Sequence, residues 1–117
     1  MSNTIVSDNG TGILVQAFNG TNTTPGVISK VTATNNNVGI LVGYSHVMIA
    51  NSVLSNNNTG LETELAGIVR LAQTAISGNV NGVSLFGGPV YSYGNNYINE
   101  NTSHDVYNGT LTPGATQ

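Results

Sequence analysis

Asn9, Asn36, Asn57, Asn79 and Asn101 recur at intervals of 27, 21, 22 and 22 residues. Three residues after each of the first four stands a glycine: Gly12, Gly39, Gly60 and Gly82. Each glycine precedes an aliphatic residue: Ile13, Ile40, Leu61 and Val83. A chain that returns to the same residue types every 22 or so residues is a stack of coils, because one coil cannot bury its apolar side alone. Around Asn57 the coil divides into three short β-prone runs: Val47 to Ala50, Ser52 to Ser55, and Gly60 to Thr63, with a turn at Asn56, Asn57 and Asn58. The next coil repeats this with Val69 to Ala72, Thr74 to Ser77, a turn at Asn79, and Gly82 to Leu85. The pattern predicts an all-β chain folded as a three-sided parallel β-helix of four to five coils of ~22 residues.

Side chains alternate across a strand, so each run has an inward and an outward set. In the first run the inward columns are Val47 with Ile49, Val69 with Leu71, and Tyr91 with Tyr93, leaving Met48, Arg70 and Ser92 outside. In the second, Val6, Ala33, Leu54, Ile76 and Ile98 form the inward column. In the third, Ile13, Ile40, Leu61, Val83 and Val106 point inward, followed by Val15, Val42, Thr63 and Leu85. Leu14, Leu41, Glu62 and Ser84 then face out. The asparagines are read as turn residues that tolerate left-handed backbone, with side-chain amides stacked about 4.8 Å apart as a ladder. The whole of 1–117 reads as one domain. The long first interval marks a loop insertion over 17–26, and 108–117 reads as a C-terminal tail.

Only 6% of residues are charged, against about a quarter in ordinary domains, and the net charge is -3. Val, Ile and Thr are plentiful and regularly placed, which argues for ordered β structure over disorder. Lys30 and Arg70 are the only Lys or Arg residues, so no basic patch can form and no nucleic-acid or acidic-membrane partner is expected. With no cysteine, disulfides and thiolate metal sites are excluded. No run approaches the roughly 20 apolar residues of a membrane span. The first residues carry no secretion signal, so export would depend on a signal elsewhere in a parent protein.

The run Val47-Met48-Ile49-Ala50-Asn51-Ser52-Val53-Leu54-Ser55-Asn56-Asn57, with Gly60-Leu61 after it, resembles the repeats of right-handed parallel β-helix proteins of the pectate-lyase-like superfamily. That superfamily includes polysaccharide lyases, polygalacturonases, epimerases and phage tailspikes. The resemblance covers nearly the whole chain, and the segment from Tyr93 to Pro113 resembles the C-terminal coils of bacterial members. It implies a right-handed helix and a bacterial, extracellular or cell-surface parent protein, with polysaccharide as the substrate class. The catalytic pattern departs from it. Lyases cluster aspartates for calcium and polygalacturonases use several close aspartates, whereas Asp8 and Asp105 stand far apart here. No catalytic residue carries over.

Glu62 and Glu64 are the sharpest acidic pair: at i and i+2 on one strand they share a face, roughly 7 Å apart. That spacing overlaps an inverting glycosidase pair and suits weak calcium binding, but no cofactor is expected and no metal site is assigned. Arg70 faces out on the first run and suits a uronate carboxylate. His46 precedes the same run one coil earlier and is either a base or a turn residue. Arg70, Glu62, Glu64 and His46 are the candidate substrate-binding residues, against a bland reading of each as a solvated surface group. His104 and Asp105 read as surface groups of the last turn. Tyr91, Tyr93, Tyr97 and Tyr107 read as a cap over the end of the stack. Asn-Xaa-Ser/Thr triplets arise by composition, and a glycan at Asn9, Asn57 or Asn101 would disrupt the ladder.

Met1 to Val6 enters almost directly into a coil, so the N-terminal coil is read as uncapped and able to pair with another copy. Three function classes follow. The preferred one is a non-catalytic β-helix module with a structural or self-assembly role, a piece of a longer exported or surface protein. The alternative is a carbohydrate-active protein, binding, lyase or hydrolase-like, centred on Arg70, Glu62 and Glu64. An ice-binding face ranks last, because the column Ile5, Thr32, Val53, Ala75, Tyr97 has no threonine array.

Overall fold

The structure, a computed structural model, describes residues 4–16 and 25–114. Those residues form fifteen strands and no helix. They assemble into three parallel sheets of five strands each. Sheet A stacks β1 (Thr4–Ser7), β4 (Val31–Thr34), β7 (Val53–Ser55), β10 (Ala75–Ser77) and β13 (Tyr97–Ile98). Sheet B stacks β2 (Thr11–Gln16), β5 (Val38–Gly43), β8 (Thr59–Glu64), β11 (Asn81–Phe86) and β14 (His104–Tyr107). Sheet C stacks β3 (Pro25–Ser29), β6 (His46–Ala50), β9 (Ile68–Ala72), β12 (Val90–Ser92) and β15 (Thr112–Pro113). Successive strands visit the three sheets in turn, and each pairs with the strand three places on, so the chain is a three-sided parallel β-helix.

The core is a set of columns running along the stack. Ile13, Ile40, Leu61 and Val83 are in register on sheet B, and Ala33, Leu54 and Ile76 on sheet A; all are buried. Thr63 is the polar member of the second sheet B column, and its Oγ1 donates to the Gly88 carbonyl at 3.1 Å. The inward columns expected for sheets A and B are the ones observed.

Sheet C differs at β12. Val69 pairs with Val90, Arg70 with Tyr91 and Leu71 with Ser92. Tyr91 is therefore outside, in line with Arg70, and fully buried Val90 takes the inward place expected for Tyr91. The cause is a corner one residue shorter than its neighbour. Leu65, Ala66, Gly67 and Ile68 separate Glu64 from Val69, but only Gly87, Gly88 and Pro89 separate Phe86 from Val90. This corner lies hard against the coil before it. A Cβ on Gly87 would stand 2.4 Å from Glu64 C, and one on Gly88 would stand 2.2 Å from Gly67 O. The next corner is one residue longer, so Tyr97 returns to register with Ala75.

Two boundaries differ from the sequence reading. Of the loop expected over 17–26, residues 17–24 lie outside the described residues, while Pro25 and Gly26 open β3. Within the tail expected from 108, Leu111 packs against the core and Thr112–Pro113 pairs with β12. The tyrosines do not form the cap: Tyr91, Tyr97 and Tyr107 lie outside on sheets C, A and B, and half-buried Tyr93 packs against Gly114.

The ladder is real and directional. Asn36 donates its backbone N–H (2.9 Å) and its Nδ2 (3.1 Å) to Asn57 Oδ1. Asn57 does the same to Asn79 Oδ1 at 2.9 and 3.0 Å, and Asn79 to Asn101 Oδ1 at 3.0 Å for both. Asn9 opens the series on Asn36 Oδ1. Each Nδ2 also donates to a carbonyl one coil back: Val6 for Asn36, Ala33 for Asn57, Leu54 for Asn79 and Ile76 for Asn101. The left-handed residue of the turn is the one before the ladder asparagine: Asp8, Asn35, Asn56, Gly78 and Glu100. The expectation that the ladder asparagines supply the left-handed geometry is corrected accordingly; the two tasks fall on adjacent residues.

Candidate functional site

The outer face of sheet B gathers the most chemistry. Glu62 and Glu64 both project from β8 on the same side, as their spacing requires. Glu62 lies between Leu41 and Ser84 across the sheet, and Glu64 between Gly43 and Phe86. The Glu62 row continues through Ser84 to Tyr107. Phe86 and Tyr107 meet edge to face with ring centroids 5.8 Å apart, and His104 meets Tyr107 edge to face at 5.0 Å. His104 Nδ1 is 3.1 Å from both Asn81 Oδ1 and Ser103 Oγ. Phe86 and Tyr107 remain exposed, while Ser84 beneath them is buried. Partial burial, and secondarily the charge of Glu64, push the Glu62 carboxyl above the usual carboxylate range. The face thus presents two carboxyl groups, one of them raised above its ordinary range, and two aromatic rings.

Sheet C holds the other pair. Arg70 is exposed on β9, its guanidinium carbon 5.2 Å from the Tyr91 ring centroid, a cation–π stack. His46, half-buried at the start of β6, pairs with Ile68, and Met48 pairs with Arg70. His46 and Arg70 therefore share the outer face of sheet C, diagonally across adjacent strands. The fold does not bring all four candidates together: the glutamates are on sheet B, and Arg70 and His46 are around the corner on sheet C. Among the described residues no group of three or more His, Cys, Asp or Glu side chains could hold a metal ion.

Three features escaped the reading of the sequence. Phe86 and Tyr107 are partners of the glutamate face, a relation that follows once β14 is aligned to β11. A second polar column, Ser52, Thr74 and Asn96, lines the corner between sheets C and A. Ser52 Oγ accepts from Val31 N–H at 3.2 Å, and Asn96 Oδ1 accepts from Thr74 N–H at 3.0 Å. Its 22-residue spacing was available in the sequence. The third is Asp105, which closes the ladder: its Oδ1 accepts from Asn101 N–H at 3.2 Å and Asn101 Nδ2 at 2.9 Å. It is a structural acceptor, not the surface group expected.

The two ends of the ladder are consequently unlike. At the C-terminal end every Asn101 donor named above has an acceptor within the chain. At the N-terminal end, exposed Asn9 donates to Asn36 and to the Ser7 carbonyl, but its own Oδ1 accepts nothing among the described residues. Ile5 and Leu14 of the same coil are also exposed.

Comparison with protein-family models, with curated proteins and with solved structures finds no match.

Proposed function

We propose that this chain is a non-catalytic structural module, a β-helical segment of an exported or surface protein whose first coil is its assembly edge. The single observation that supports this reading is where the buried polar side chains go. Asn36, Asn57 and Asn79 tie coil to coil, and Ser52 and Thr74 tie a corner. The titratable candidates stand outside on two separate faces instead of converging on one reacting centre. The test is binding and turnover against a panel of acidic and neutral polysaccharides, with and without calcium. The reading predicts no product release and no saturable binding. Release of product overturns it.

A second reading has one specific observation in its favour. The Phe86–Tyr107 pair beside Glu62 and Glu64 offers ring faces for sugar stacking next to a carboxyl that partial burial raises above its usual range. On that reading the chain is carbohydrate-active and pectate-lyase-like in its ligands, with polysaccharide lying across sheet B. Glu62→Gln and Phe86→Ala would then each remove binding or turnover, whereas Arg70→Gln on sheet C would leave both unchanged.

A further inference from the structure

The glycine column shows where the next rung of the ladder must sit. A Cβ on Gly39 would lie 3.1 Å from Asn57 Nδ2, one on Gly60 3.0 Å from Asn79 Nδ2, and one on Gly82 2.7 Å from Asn101 Nδ2. A side chain in this column therefore points into the place of the asparagine one coil on. Because His104 pairs with Asn81 and Val106 with Val83, Asp105 is the member of this column in the last coil. Its carboxylate occupies the place of the next rung, and it takes the same two donors that a following asparagine takes in every earlier coil.

The N-terminal coil matches that place. Asn101 stands three residues after Ile98, and Asn9 stands three residues after Val6. Ile98 and Val6 belong to the same inward column of sheet A. The outermost strands at one end are β13, β14 and β15, and at the other β1, β2 and β3, one per sheet in the same order. A second copy placed one coil on would set its Asn9 Oδ1, which has no donor among the described residues, against the N–H and Nδ2 of Asn101. Pairing two N-terminal ends would instead set acceptor against acceptor, an unfavourable match for polar groups taken from water.

We infer that Asp105 is a built-in substitute for the next rung, which blocks head-to-tail stacking of copies of this chain, and that the N-terminal edge is the complementary surface a second copy's C-terminal coil fills when Asp105 is out of that place. The inference rests on the reading of the first coil as an assembly edge. It goes further by naming the occupant and the group that excludes it.

The test is light scattering across a wide concentration range on the wild type, Asp105→Asn, Asp105→Gly, and Asp105→Gly combined with Asn9→Ala. Circular dichroism checks that each is folded. Wild type and Asp105→Asn should stay monomeric, because Asn still offers an Oδ1 to Asn101. Asp105→Gly should rise at least about twofold in mean mass with concentration, as an open heterologous contact does. Adding Asn9→Ala should return it to monomer. A folded Asp105→Gly that stays monomeric, or a wild type that assembles, overturns the role given to Asp105. Assembly that persists with Asn9→Ala overturns the N-terminal edge instead. Asp105→Ala is the second variant: its methyl accepts nothing from Asn101 but still crowds the next rung, as a Cβ on Gly82 would crowd Asn101, so it should fold and stay monomeric. If it and Asp105→Gly both lose the fold, the carboxylate holds the last coil together and the inference fails.

Discussion

Asn57 shows how one side chain can serve three coils. Its Oδ1 takes two donors from the coil before, and its Nδ2 donates both to that coil's Ala33 carbonyl and to Asn79 in the coil after. Asn57→Ala strands the buried Asn36 N–H without its acceptor, and should cost about 3 kcal/mol in urea unfolding. Asn9→Ala removes an exposed side chain from the end of the ladder and should cost no more than about 1 kcal/mol. Equal costs would mean the ladder is ornamental. Glu62 gives a pH-dependent test. Its folded-state carboxyl ionises above the ordinary value of 4.5, so the unfolded chain loses its proton first as pH rises. The stability it contributes is complete below 4.5 and is lost as pH climbs through the folded value. Glu62→Gln should therefore melt higher than wild type at about pH 7 and level with it at about pH 3.5. A Tm gain of the same size at both pH values would contradict the assignment.

At the level of the strand and its corners, the glycine column is the sharpest constraint. Gly39→Ala would drive a methyl to 2.5 Å from the Gly60 carbonyl oxygen, against backbone that cannot yield, and should cost more than about 2 kcal/mol. Gly10→Ala meets nothing within 4 Å and should stay within about 0.5 kcal/mol of wild type. Thermal unfolding of the two variants separates a packing requirement from a general loss of glycine. The same elements show what the sequence reveals and what it hides. Sheets A and B were legible because Leu54, Ile76 and Ile98, or Leu61 and Val83, keep a 22-residue step in both the chain and the fold. β12 was not, because the short corner at Gly87 to Pro89 and the long one before Tyr97 cancel, leaving the overall period intact while sheet C slips by one. A one-residue slip exchanges the two faces of a strand, which is why Tyr91 is outside and Val90 inside. The glutamate pair was visible from its spacing. Its aromatic partners were not, because Phe86 and Tyr107 become neighbours only through the β11–β14 pairing.

Over the whole molecule, a stack held by neighbour contacts should be most stable in its middle coils and weakest where a coil has one neighbour. Leu61→Ala, fully buried at the centre of its column, should cost about 3 kcal/mol, and Val106→Ala at the half-buried end of that column markedly less; unfolding of the two variants checks the gradient. The ladder makes the two ends unequal as well: Asp105 closes one, and at the other Asn9 Oδ1 has no donor among the described residues. Native-state hydrogen exchange at the backbone N–H of the ladder asparagines tests this most directly. The account predicts strong protection at Asn57 and Asn79, intermediate protection at Asn101 that falls in Asp105→Ala, and the least at Asn9. Exchange at Asn57 as fast as at Asn9, or an Asn101 N–H indifferent to the loss of Asp105, would contradict it.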